Sequence, residues 1–348
     1  MRTSLILLAV SATALVAACT SASDSTASAD SNLTLPTLPG LPGLPGLDGG
    51  LPGLPGSGGG STVHLDEVTG FGSNPGGLRM FEHTPTDLPA SPALLVVLHG
   101  CSQNAPTIAS AGFNDLADAR KFVAVYPQQS SSNNPASCFN WFNADDQTRG
   151  QDENESVKEM VDKAIATHGI DPARVFVAGF SAGAAQSLIM AATWPDVFAG
   201  AASLAGIPFG CAKSQTDTFT CQNPGKDYTP DQWAALVKQA VPSFSGRYPR
   251  ISVWQGTKDS VVGTKNRGEI VDQWTGVHGV SATPVTTETV AGATHTVYGD
   301  DGIVESWSIP GMDHDVPVVP SASCGTTAQY AVDKGVCAAG KIADFFGL

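Results

Sequence analysis

Val175-Phe176-Val177-Ala178-Gly179-Phe180-Ser181-Ala182-Gly183-Ala184 is the stretch on which the reading of this chain turns. Val175 to Ala178 is apolar on both faces, as a strand buried inside a parallel sheet must be. From Ala184 to Trp194 the pattern is helical. Between them lies Gly-x-Ser-x-Gly. A hydroxyl that attacks must be lifted clear of the backbone, and a sharp strand-to-helix turn does this. Such a turn crowds its flanks, so the positions two before and two after the serine must be tiny. The following helix also points its positive end at the place where negative charge on oxygen would develop. The pentapeptide alone arises by chance in chains rich in Gly, Ser and Ala. Its place after a strand and before a helix makes Ser181 the expected nucleophile.

Outward from this turn, further buried strands are expected at Leu94–Leu98, Phe122–Tyr126 and Ile251–Trp254. Val157, Met160, Val161, Ala164 and Ile165 fall on one helical stripe, and Gly169 is a plausible stop. Strand, helix and strand at this spacing predict a right-handed, mostly parallel α/β sheet with helices on both faces. Thr62 to Val68 and Gly77 to Thr84 flank a Gly/Pro/Asn turn, so an antiparallel hairpin is expected at the sheet edge. With the serine turn, this is the pattern of the α/β-hydrolase fold, in which an acid and then a histidine follow the nucleophile along the chain.

Serine at its own pKa is a poor nucleophile and needs a base held by an acid. Three histidines follow it: His278, His295 and His314. His314 stands in a loop just past the strand-like Val304–Trp307, where a base should enter the site, and is preferred. His295 looks like part of a strand and His278 like a helix end. For the acid, Asp259 follows the strand 251–254, at a carboxyl end suited to accept an imidazole N–H. Asp272 lies in a helical pattern, Asp300 and Asp301 in a turn, and Asp313 and Asp315 flank the base too closely to orient it. The oxyanion needs two N–H donors: Ala182, and Cys101 from the loop His99–Gln103, with Ser102 as second choice. His99, just after a buried strand, is expected to hold that loop. Residues 207–250 are expected to wall the acyl pocket, with Trp141 and Phe209 as candidates for apolar contact with substrate or for plain core roles.

The 348 residues carry 32 acids against 18 bases, a formal charge of −14. Nucleic acid and polybasic membrane contacts are therefore unexpected, since both need a basic face. Residues 1–18 read as a secretory leader, too short to span a membrane. Leu15-Val16-Ala17-Ala18-Cys19 resembles a bacterial lipobox, which would lipidate Cys19. Residues 20–60 carry Leu-Pro-Gly five times and end in Ser-Gly-Gly-Gly, composition that forbids helix and central strand. As a coil, this linker of residues 19–60 would span on the order of 35 Å, a tether for the domain at 61–348. Six cysteines remain: Cys101, Cys138, Cys211, Cys221, Cys324 and Cys337. In an exported chain an even number favours three disulfides. Sequence leaves the connectivity open; short separations make 211–221 and 324–337 plausible, leaving Cys101 with Cys138. No Cys-x-x-Cys occurs and no two histidines sit at ligand spacing, so neither metal nor organic cofactor is expected.

Taken together, Leu98–Ala105, Tyr126–Gln129, Cys138–Phe142, Gly179–Gly183, Ala205–Ala212, Trp254–Gly256 and Gly311–His314 resemble the polyhydroxybutyrate depolymerase family of esterases, which is related to feruloyl and acetyl-xylan esterases. The resemblance runs from about residue 65 to the end. It implies a secreted α/β-hydrolase that cleaves carboxylic esters through Ser181, Asp259 and His314; a monomer is expected. Its substrates would be polyester oligomers or polysaccharide esters. The pattern departs at Ala184 (usually Gly), at Gln255 (usually His) and at Asp313 (usually Gly). Polymer-degrading members commonly add a binding module after the catalytic domain. None follows here, so oligomers, or polymer brought to the cell surface, are expected rather than insoluble granules. Two other classes remain open: a cell-envelope acyltransferase and a non-catalytic surface lipoprotein.

Overall fold

The computed structural model describes residues 63–348. The expected leader, Cys19 and the Leu-Pro-Gly tract lie outside the described residues. Among those described, no helix is long and apolar enough to cross a membrane.

The chain begins with β1 (Asp66–Val68), β2 (Arg79–His83) and β3 (Leu94–Leu98), then α1 (Ala105–Ala109), α2 (Phe113–Arg120) and β4 (Val123–Gln128). After α3 (Asp152–His168) come β5 (Val175–Phe180), α4 (Ala182–Thr193) and β6 (Gly200–Leu204). Next are α5 (Thr218–Gln222), α6 (Pro230–Ala240), β7 (Arg250–Gly256) and α7 (Lys265–His278). The chain ends with β8 (Thr286–Val290), β9 (Ala293–Tyr298), β10 (Val304–Ile309), β11 (Val316–Val318), β12 (Ala331–Asp333) and α8 (Ala338–Phe346).

Ten strands form one sheet in the order β1-β2-β4-β3-β5-β6-β7-β10-β9-β8. From β4 to β10 every neighbour pair is parallel. Both edges are antiparallel: β1 and β2 against β4 on one side, β9 and β8 against β10 on the other. The expected edge hairpin is present, but its first strand is only three residues long. Asp66 and Glu67 are exposed there. A small parallel pair, β11–β12, was not anticipated.

Side chains alternate across the sheet and sort into two cores. Leu94, Val96 and Leu98 face one side with Val157, Met160, Leu188, Trp233 and Trp274, under α3, α4, α6 and α7. Leu95 and Val97 face the other with Phe113, Phe176, Trp254 and Phe346, under α1, α2 and α8. Strands buried on both faces explain why they read as unbroken apolar runs. Helix ends follow local rules. Gly169 ends α3 at φ 65°, a left-handed C-cap, and Thr229 with Gln232 forms a capping box before α6. Three disulfides join Cys101–Cys138, Cys211–Cys221 and Cys324–Cys337.

Candidate active site

The parallel strands end on one edge, and the site is built from the loops that leave it. Ser181 sits between β5 and α4 at φ 56°, ψ −118°. An L-residue held there carries strain on the order of 1–3 kcal/mol, so the surroundings must enforce it. They do so by close packing. A Cβ on Gly179 would lie 2.1 Å from the Gly183 carbonyl oxygen. One on Gly183 would lie 2.3 Å from the Leu98 carbonyl oxygen and 2.5 Å from that of His99. Both glycines of the motif are thus steric requirements of β5 turning against β3.

His314 follows β10 and Asp259 follows β7, parallel neighbours in the sheet. His314 Nε2 stands 2.9 Å from Ser181 Oγ, and its Nδ1 stands 3.1 and 3.0 Å from the two Asp259 oxygens. This fits one tautomer: Nδ1–H donates to Asp259, and Nε2 accepts from the serine hydroxyl. The Asp259 side chain has no solvent exposure. Its Oδ1 also accepts the Val261 and Val262 amides, at 3.0 and 2.8 Å. The two loops are joined directly. Asp313 Oδ1 accepts the Ser260 amide and hydroxyl, both at 2.8 Å, and the His314 amide at 2.9 Å. Hydrogen bonds from Ser260 hold the Asp313 carboxyl below its usual pKa. Aspartate in place of the family's glycine therefore ties the base loop to the acid loop. Gly256 permits the approach, since a Cβ there would lie 2.2 Å from the Met312 carbonyl oxygen.

Cys101 and Ala182 line the same cleft as Ser181. Among the described residues neither backbone amide has an acceptor. The Ser102 amide, the second choice, is taken by the Ala136 carbonyl at 2.7 Å. His99 is buried, its Nδ1 donating to the Gly100 carbonyl at 2.7 Å and its Nε2 accepting the Gln129 amide at 3.1 Å. Burial lowers its pKa to about 4, so it is a neutral clamp on the loop.

The cleft encloses about 210 Å³, and Trp141, Phe180, Ile207, Val261, Val262 and Tyr330 supply its apolar lining. Of its two expected roles Phe209 takes the core one: it is buried and does not line this cleft. Its backbone N–H and carbonyl are both held by the Gln273 amide, at 2.9 Å each, and the residue borders a separate hollow with Leu236. The remaining candidates lie elsewhere. His295 is on β9 between Glu288 and Glu305, stacked on Trp307. His278 ends α7 on the Pro249 carbonyl, Asp272 is on α7, and Asp301 pairs with Arg247. Sequence reasoning passed over Gln255, whose amide reaches Asp259 Oδ2 at 3.4 Å and the Val262 carbonyl at 2.7 Å. It also passed over Tyr330, which enters the cleft from the loop before β12, and Glu153, for which no local pattern gives a signal.

A family model described as esterase PHB depolymerase matches residues 84–296. The chain belongs to this family. Poly(3-hydroxyalkanoate) depolymerase C of Paucimonas lemoignei is 46% identical over 294 residues, 83% of this chain and 71% of that protein. Feruloyl esterase B of Talaromyces stipitatus is 34% identical over 262 residues, 73% of this chain and 72% of that protein. Among solved structures, acetyl xylan esterase from Aspergillus awamori superposes with a TM-score of 0.71 at 27% identity, over 82% of this chain and 99% of that one. The protein is therefore a serine ester hydrolase of α/β-hydrolase fold.

Proposed function

We propose that this family member cleaves 3-hydroxyalkanoate esters and their oligomers through an acyl-enzyme formed on Ser181. His314 takes the hydroxyl proton as Ser181 Oγ attacks the ester carbonyl. The Cys101 and Ala182 amides hold the oxyanion, and Asp259 stabilises the imidazolium. His314 then protonates the leaving alcohol, activates water, and the acyl group departs as the free acid. The observation that carries this reading is the imidazole of His314 lying within hydrogen-bond reach of both Ser181 and Asp259. The cleft is smaller than the roughly 300–1,000 Å³ of drug-sized ligand sites, which suits one short acyl unit against Trp141. The hydroxyalkanoate choice rests on the name of the 46% identical relative.

The same likenesses favour a second reading, an esterase of plant polysaccharides, because the relatives also include a feruloyl esterase and an acetylxylan esterase. Hydroxybutyrate oligomers, feruloyl esters and acetylated xylan should be compared by kcat/KM. Faster turnover of either of the latter two transfers the assignment. An acyltransferase would instead yield a new ester when an acceptor alcohol is added. A non-catalytic surface protein would leave a short p-nitrophenyl ester intact. Ser181→Ala should abolish that hydrolysis, and an equal rate would refute the mechanism. For organisation, residues 1–18 act as a leader, Cys19 with the linker to residue 60 as a lipid tether, and 61–348 as a monomeric catalytic domain outside the cell. Cys19→Ala should then move the enzyme from the membrane fraction to the medium.

A further inference from the structure

Glu153, in the first turn of α3, is 1% exposed and plays no part in the mechanism above. None of the ion pairs among the described residues involves it. Its carboxylate instead accepts four hydrogen bonds from neutral groups. Oε2 takes the Asn140 amide at 2.8 Å. Oε1 takes Asn140 Nδ2 at 2.6 Å, Asn133 Nδ2 at 3.2 Å and Gln129 Nε2. Asp146, itself buried, accepts the Glu153 backbone amide at 3.1 Å. Burial first, and then the Asp146 charge, push the Glu153 carboxyl above its usual range. An acid in so unfavourable a place must have its lone pairs filled, and here four donors fill them.

All of those donors belong to the one loop that follows β4, and that loop leads to the site. The Gln129 backbone amide holds His99, and its side chain also reaches the Cys138 carbonyl at 3.2 Å. Asn140 Oδ1 accepts from Asn134 at 2.8 Å, and Asn134 Oδ1 in turn accepts the Ala136 and Cys138 amides. The Ala136 carbonyl accepts the Ser102 amide, and Cys138 is bridged to Cys101. Trp141, the residue after Asn140, lines the cleft.

We infer that Glu153 is a positioning residue: through Asn140 and Gln129 it fixes the loop that aims the Cys101 amide at the oxyanion and sets Trp141 against the acyl group. Glutamine at 153 has the same shape but only one acceptor atom. Its NH2 must meet either the side-chain amides or the Asn140 N–H, donor against donor. The inference rests on Ser181 being the nucleophile, so the test carries Ser181→Ala beside it.

Glu153→Gln, Asn140→Ala and the double variant are assayed on p-nitrophenyl butyrate. Rates are expressed per active site, titrated with a fluorophosphonate, so that loss of folded enzyme does not count. The expected result is kcat per active site about tenfold lower in each single variant, with KM changed less. The double variant should lose less than the product of the two single losses, because the Asn140–Glu153 side-chain contact is common to both. Wild-type kcat per titrated site in Glu153→Gln, or multiplying effects in the double variant, would overturn the inference. If Glu153→Gln does not fold, Asn140→Ala decides alone, and wild-type kcat there overturns it equally. Activity persisting in Ser181→Ala would instead refute the nucleophile, an outcome separate from any Glu153 result.

Discussion

Asp259→Asn tests the proton relay with little change of shape. The side chain is fully buried, and its Oδ1 is fixed by the Val261 and Val262 amides. The asparagine oxygen must stay there, because no other group would satisfy those two N–H donors. Its NH2 then occupies the Oδ2 position, 3.0 Å from His314 Nδ1 and 3.4 Å from Gln255 Nε2. Two donors cannot face one another, and the asparagine oxygen, 3.1 Å from Nδ1, already accepts the Val261 and Val262 amides, so the tautomer with the proton on Nε2 is favoured. That places N–H, rather than a lone pair, 2.9 Å from Ser181 Oγ and removes the base. The same substitution in a serine-protease triad lowers kcat by about 10⁴, which corresponds to about 5 kcal/mol of barrier. A loss of that order in kcat/KM for p-nitrophenyl butyrate is expected, with fluorophosphonate labelling slowed in parallel. The midpoint of thermal unfolding should stay close to wild type, since both backbone bonds survive. Activity within tenfold of wild type, in enzyme of full helical content, would refute the assigned tautomer and with it the role of Asp259.

Other consequences follow from the same geometry. Gly183→Val should prevent native folding, because its Cβ would press into the Leu98 and His99 carbonyls; recovery of a soluble variant with wild-type melting would contradict the packing argument. Replacing Cys101 and Cys138 together by serine frees a loop of 37 residues. Loop-closure entropy puts the loss at about 4 kcal/mol, to be read by urea unfolding, and kcat should fall as well because the oxyanion loop loses its tie. His295 is desolvated, which lowers its pKa, but the hydrogen bonds its ring donates to Glu305 and Glu288 outweigh this and raise it. Its folded-state pKa therefore exceeds its unfolded value of about 6.5, and the stabilisation is complete below that pH and lost as pH rises through the folded value. Melting temperatures of His295→Gln and wild type should converge on the alkaline side, and a constant difference across pH would exclude this linkage.

How much could be read beforehand varied with distance along the chain. The turn at Ser181 was legible because its demands are local: a strand, two glycines and a helix within about twenty positions. The oxyanion pair was legible, Cys101 ahead of Ser102, but the reason was not: the Ala136 carbonyl, 34 positions away, occupies the rival amide. Phe209 was open to either an acyl contact or a core role, since sequence does not say which way a ring in residues 207–250 turns. Gln273 on α7 holds that backbone at both polar groups, and the side chain is buried in the core. Asp313 looked like a mere neighbour of the base, and only the approach of Ser260 gave it a partner.

Composition, apolar runs and turn chemistry settled by themselves that this chain builds an α/β sheet with a nucleophile turn. Those signals express steric and solvation needs of residues a few positions apart. Sequence preferred His314 and the Cys101 and Ala182 amides, but only folding brings that imidazole to Ser181 across 133 positions, leaves those amides without acceptors, and makes a buried glutamate gather the loop beside the cleft. Such contacts depend on how strands lie side by side in the sheet, and that order is not written at any single position of the chain.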